Sequence, residues 1–155
     1  MCPTRDPPPT VDPSTSPAAR IVRTSFVLRH AVQEAFRTAS LDATPAEWGL
    51  LNVLSHADDQ RVGDIASMTR HDRTTITRVI DGLVRRGLVE RARDPSDRRA
   101  VRVRRTRAGR ALHARLVPVV QDVIESAFAG VSAAERKTLF ATLARVHDNL
   151  VALED

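Results

Sequence analysis

The sequence is short of the groups most chemistry needs. Its 155 residues hold one cysteine (Cys2), one tryptophan (Trp48), no tyrosine and four phenylalanines. A lone thiol excludes an internal disulfide and a cysteine-built structural zinc site. So few rings leave little to stack on a ligand. The longest apolar run, Leu116 to Val120, is interrupted by Pro118, far short of the roughly 20 residues that span a bilayer. No basic segment leads into an apolar one as in a secretory signal. A soluble, cytoplasmic protein with no membrane partner is expected. There is no glycine-rich phosphate loop, no nucleophile beside a base and no HxxxH or other metal spacing, so neither an enzyme, a cofactor nor a metal is expected.

Lysine is nearly absent too: Lys137 stands alone against 23 arginines. Codon bias accounts for arginine over lysine but not for where the arginines lie. Residues 61–110 carry 15 arginines and 6 acidic residues, a local net of +9 in a chain of net +5, which leaves −4 for the remainder. A basic block in a mildly acidic frame suits an anionic polymer.

The pattern along the chain is mainly helical. Residues 1–16 are proline-rich and poor in apolar groups, and they read as a disordered tail. Ser16-Pro17 caps a helix to about Ala39, with Ile21, Leu28, Val32 and Phe36 on one face. Thr44-Pro45-Ala46-Glu47 opens a second helix to about Ala57. Arg61-Val62 is a minimal strand at most. Gly63-Asp64 opens a third helix with Ile65, Ala66 and Met68 inward. The fourth runs from about Asp72, its N-cap, to Arg86, with Ile76, Val79, Ile80 and Leu83 inward and Gly87 at its end. Leu88–Arg93 and Ala100–Arg104 alternate as a two-stranded ribbon, with Val89, Ala92, Val101 and Val103 as its apolar members. Thr106 caps a long helix that Pro118 should kink. Ser132-Ala133-Ala134-Glu135 opens a last helix, whose Leu139, Leu143, Val146 and Leu150 form a seam in want of a partner.

A helix start carrying Arg73, Thr74, Thr75, Thr77 and Arg78 has the groups that read base edges in a major groove. A short basic hairpin beside it can reach phosphates or a minor groove. Arg102, Arg104, Arg105 and Arg107 are phosphate contacts on this reading, or simply solubilising charge.

From Thr44 through Gly109 the chain resembles the MarR family of winged-helix transcription regulators. The matching runs are Thr44-Pro45-Ala46-Glu47-Trp48, Asp72-Arg73-Thr74-Thr75-Ile76-Thr77-Arg78, Gly87-Leu88-Val89-Glu90-Arg91, Asp94-Pro95-Ser96-Asp97-Arg98-Arg99 and Thr106-Arg107-Ala108-Gly109. Their order and spacing fit together, which no single run would establish. Three positions depart: Arg70-His71 replaces a glycine and an apolar residue, Arg105 replaces a leucine, and Pro118 lies in the long helix.

The resemblance implies a mainly α fold with a small β-hairpin wing. Residues 17–43 are then an N-terminal dimerisation helix, 44–105 a winged helix-turn-helix, and 106–155 C-terminal dimerisation helices. The expected protein is a homodimer on a palindromic operator, a repressor released by a small-molecule effector. Arg98 is the expected minor-groove residue, with Arg99 paired to Asp97, and Arg70 adds a phosphate contact. Trp48 and His30 are the candidate effector residues, although core packing for Trp48 and a plain surface position for His30 stay open. A sequence-indifferent architectural binder, or an interaction module without DNA, also remains open.

Overall fold

Hydroxyl-proline pairs mark where the first two helices begin. The structure, a computed structural model, describes residues 15–69, 73–97 and 100–153, with the backbone alone at residue 73. Among these residues are helices α1 (Pro17–Thr38), α2 (Pro45–His56), α3 (Val62–Thr69), α4 (Arg73–Arg85), α5 (Arg107–Ala127) and α6 (Ala133–Val151). Strands β1 (Gln60–Arg61), β2 (Val89–Arg93) and β3 (Val101–Arg105) lie between them. Ser16 Oγ accepts from the Ala19 N–H at 3.4 Å. Thr44 and Glu47 satisfy each other's backbone N–H groups at 3.2 and 2.8 Å. Both ends answer donors that a helix leaves open. α1 ends without glycine: Ser40 takes φ +52, and the Leu41 N–H reaches back to Phe36 O at 2.9 Å.

The chain divides into two units after Val123. The core of the first contains Phe36, Leu50, Leu51, Leu54, Ile65, Ile76, Ile80, Leu83, Val89, Val103 and Leu116. The sheet is antiparallel in the order β1-β3-β2, with Arg91 opposite Val103 and Gln60 also opposite Val103. The two-stranded ribbon is therefore three-stranded, and β1 sits one residue earlier than expected. Met68 is 57% exposed rather than inward, because Ile65 alone of α3 is fully buried. Val101 is exposed as well, near the open end of the β2-β3 pair. α5 continues through Pro118 without a break. No helix among the described residues is long and apolar enough to cross a membrane.

The second unit, from Ile124 on, holds the end of α5, a turn and α6. Gly130 takes φ +78, and Ser132 with Glu135 forms a capping box. Arg136 closes the turn, donating to Phe128 O at 2.8 Å and lying 5.1 Å over the Phe128 ring. No residue of α6 is buried; Leu139, Leu143, Val146 and Leu150 stand exposed, and Phe140 is 76% exposed. In the first unit, the early part of α1 similarly leaves Ile21, Val22, Phe26, Val27 and Leu28 exposed, while only Val32 and Phe36 reach the core.

Candidate nucleic-acid interface

α4 presents opposite faces to the core and to solvent. Ile76, Ile80 and Leu83 are buried, while Thr74 and Arg78 are exposed and Thr75 and Thr77 half-buried. Arg78 has no carboxylate partner among the described residues. Arg73 begins the helix, but its side chain lies outside the described residues, as do Arg70 and the expected cap Asp72. Gly87 adopts φ +64, and the Leu88 N–H donates to Leu83 O at 2.9 Å, so the chain turns off α4 straight into β2. Asp81 on α4 holds Arg91 on β2 at 2.7 Å.

The stem of the wing is organised by Asp94, whose side chain is 1% exposed. Its carboxylate accepts from Arg61 Nε at 2.8 Å, Arg102 Nη1 at 3.1 Å, Ser96 Oγ at 2.6 Å, and the N–H groups of Ser96 and Asp97 at 2.9 and 3.1 Å. Arg61 above all, then Ser96, holds its carboxyl far below the usual carboxylate range. Arg102 turns its Nε to Asp59 Oδ2 at 3.0 Å and its Nη2 to the Asp59 carbonyl. Arg104 pairs with Glu90 at 2.6 Å. Arg105, only 12% exposed, meets Asp58 through its own N–H at 2.9 Å and its guanidinium at 3.4 Å.

The basic block thus has two populations. Seven of its described arginines pair with carboxylates: Arg61, Arg86, Arg91, Arg102, Arg104, Arg105 and Arg110. Arg78, Arg85, Arg93 and Arg107 do not. Of the expected phosphate contacts Arg102, Arg104, Arg105 and Arg107, the first three are occupied within the fold. Arg98, Arg99 and the expected Asp97–Arg99 pair lie outside the described residues. The Asp94 hub was missed in the sequence, although an Asp-Pro-Ser run, whose carboxylate can accept from the amide two residues on, is a local sign of it.

Trp48 packs against the core and stacks on His113 of α5, with centroids 5.1 Å apart and planes 7° off parallel. His113 Nε2 lies 3.4 Å from Asn52 Oδ1. Burial first, then Arg105 and His56, pushes its pKa below the ordinary histidine value. His30 stands apart on the exposed side of α1, beside Glu34 rather than His113. Among the described residues no three metal-ligating side chains gather.

Comparison with known proteins agrees with this geometry. A MarR family profile matches residues 41–100. The HTH-type transcriptional regulator YdgJ of Bacillus subtilis (strain 168), itself uncharacterised, is 33% identical over 105 residues, which cover 68% of this chain and 64% of that relative's length. BpsR of Bordetella bronchiseptica, whose DNA binding is regulated by 6-hydroxynicotinic acid, superposes with a TM-score of 0.82 at 27% identity over 90% of this chain and 99% of that one. Over residues 41–100 the chain is similar to the MarR family. A mutant MarR from E. coli, solved with operator DNA, superposes on this chain with a TM-score of 0.78 at 26% identity, covering 89% of it and 99% of the other.

Proposed function

We propose that this protein is a homodimeric, sequence-reading regulator of transcription that docks α4 in the major groove of duplex DNA. The observation that carries this reading is the outward face of α4, where Thr74 and Arg78 stand exposed beside a stiffened wing. Arg73, Thr74, Thr75, Thr77 and Arg78 read bases or hold phosphates. Arg98 enters the minor groove, with Arg99 and Arg70 in support. Residues 44–105 form the DNA lobe, and residues 17–43 and 106–155 the dimer base. The exposed apolar stripes of α1 and α6 support pairing with a second copy. The cytoplasm, where the chromosome lies, is its place of action.

A small molecule releases the operator, as BpsR, whose DNA binding is regulated by 6-hydroxynicotinic acid, suggests. Trp48, stacked on His113, and His30 are its proposed contacts. Bound effector moves the two recognition helices off half-sites spaced roughly 34–36 Å apart, and it acts as a repressor's inducer only through unequal affinity for the two spacings. Selection of bound fragments from the source genome, followed by titration of a selected site against a scrambled duplex, tests the core of this. Tighter binding to the selected site is expected. Equal affinity for both would replace a sequence reader with an architectural binder, and no binding would leave an interaction module.

A further inference from the structure

We infer that Arg93 is a backbone clamp, holding the phosphodiester strand that runs between α4 and the wing; the inference rests on the DNA-binding reading above. Strand β2 alternates, so Val89, Arg91 and Arg93 share one side. Arg91 on that side reaches Asp81 of α4. Arg93 is therefore on the side of the sheet that looks toward α4, one step nearer the open end of the wing. It stands directly opposite Val101. Val101, Arg91 and, from α4, Thr77 line a cleft of about 510 Å³ that also holds Asp64, Asp97 and Arg61.

Arg93 is not among the residues that line this cleft, whose lining includes Asp64 and Asp97, so an anion would be held at Arg93 itself and not in the cleft. Arg91 is engaged by Asp81 and Arg61 by Asp94, so neither is spare. Arg93 is exposed and has no carboxylate partner among the described residues, while its strand neighbour Asp94 is locked by five hydrogen bonds. The strand already fixes the backbone of Arg93, so gripping an anion costs the ordering of one side chain. With a helix in one groove and a hairpin in the next, the sugar-phosphate strand dividing the grooves must pass between them. Arg93 stands beside that path. It would act on any sequence, because phosphate carries no base identity.

The test is a KCl titration by fluorescence anisotropy on a labelled mixed-sequence duplex, using the full chain. For Arg93→Gln the slope of log affinity against log salt should become shallower by about 0.9, the effect of one phosphate no longer neutralised. Thermal midpoint should not move, and Arg93→Lys should restore the slope. Arg104→Gln, whose arginine is already paired with Glu90, should keep the wild-type slope. An unchanged slope for Arg93→Gln beside normal wild-type binding overturns the clamp and leaves the DNA reading intact. An equally shallow slope for Arg104→Gln also overturns it, since bulk charge alone would then be at work. Wild-type protein with no salt-dependent duplex binding removes both.

Discussion

The outward face of α4 and the stem of the wing are both rich in arginine, yet they use it oppositely. On α4, Arg78 points to solvent with no carboxylate to answer it among the described residues. In the stem, Arg61, Arg102, Arg104 and Arg105 each meet an aspartate or glutamate. The same side chain is left open in one place and is a fastener in the other. Net charge therefore overstates what the block offers to DNA, and pairing is the better guide. Short strands of two and five residues give the sheet few ladder bonds, so the ionic fastening supplies what length does not.

Substitutions on the two sides should separate cleanly, stability from binding. Asp94→Ala should have the largest effect, lowering the thermal midpoint by about 10 °C, because Arg61 and Arg102 lose their shared acceptor in a part-buried site. Asp94→Asn, which keeps acceptors for Ser96 and Asp97, should lose less; calorimetry of the two would decide, and equal losses would mean that charge is the whole of the effect. Next, Arg78→Ala should weaken binding to a selected operator by about 10- to 100-fold with the midpoint unmoved. A fall in stability instead would place Arg78 among the fasteners.

Smaller still is Arg105→Leu, which restores the apolar residue usual in the MarR family at this position. Arg105 Nε is buried with no hydrogen-bond acceptor among the described residues. Its removal should raise the midpoint by about 2–3 °C. A fall would show that Asp58 depends on the pair. The least effect concerns pH. The His113 pKa is lowered in the fold, so the unfolded chain binds the proton more readily. Stability should be full above about pH 6.5 and should decline as pH falls below it toward the folded pKa. Fluorescence of Trp48, the only tryptophan, should report the same titration, and His113→Gln should flatten both curves.

Much of the fold was legible because its signals are local. Ser16-Pro17, the Thr44–Glu47 box, Gly87 and Ser132–Glu135 sit at helix ends in both sequence and structure. The third strand was less so, since two residues carry no period. The left-handed turn at Ser40 lacks the glycine that would announce it. Met68 reads as apolar wherever it points. The arginine partners were illegible for a different reason: Arg61 and Asp94 lie 33 residues apart, and Arg105 and Asp58 lie 47 apart. No window along the sequence joins them, so the stem arginines looked like the free ones. The outward face of α4 was readable from its helical period alone.

One joint has mechanical meaning. Just past the end of α4, the Leu88 carbonyl accepts from the Thr106 N–H at 3.1 Å, the Thr106 hydroxyl donates to the Gly87 carbonyl at 2.7 Å, and Thr106 Oγ1 in turn receives the Gly109 N–H at 3.1 Å. A methyl on Gly109 would come within 1.9 Å of the Leu88 carbonyl oxygen. The trailing end of one helix is thus bolted to the leading end of α5 with no slack and no spacer. A twist imposed on α5 has nothing soft to spend itself in at this coupling, and α4 would turn with it.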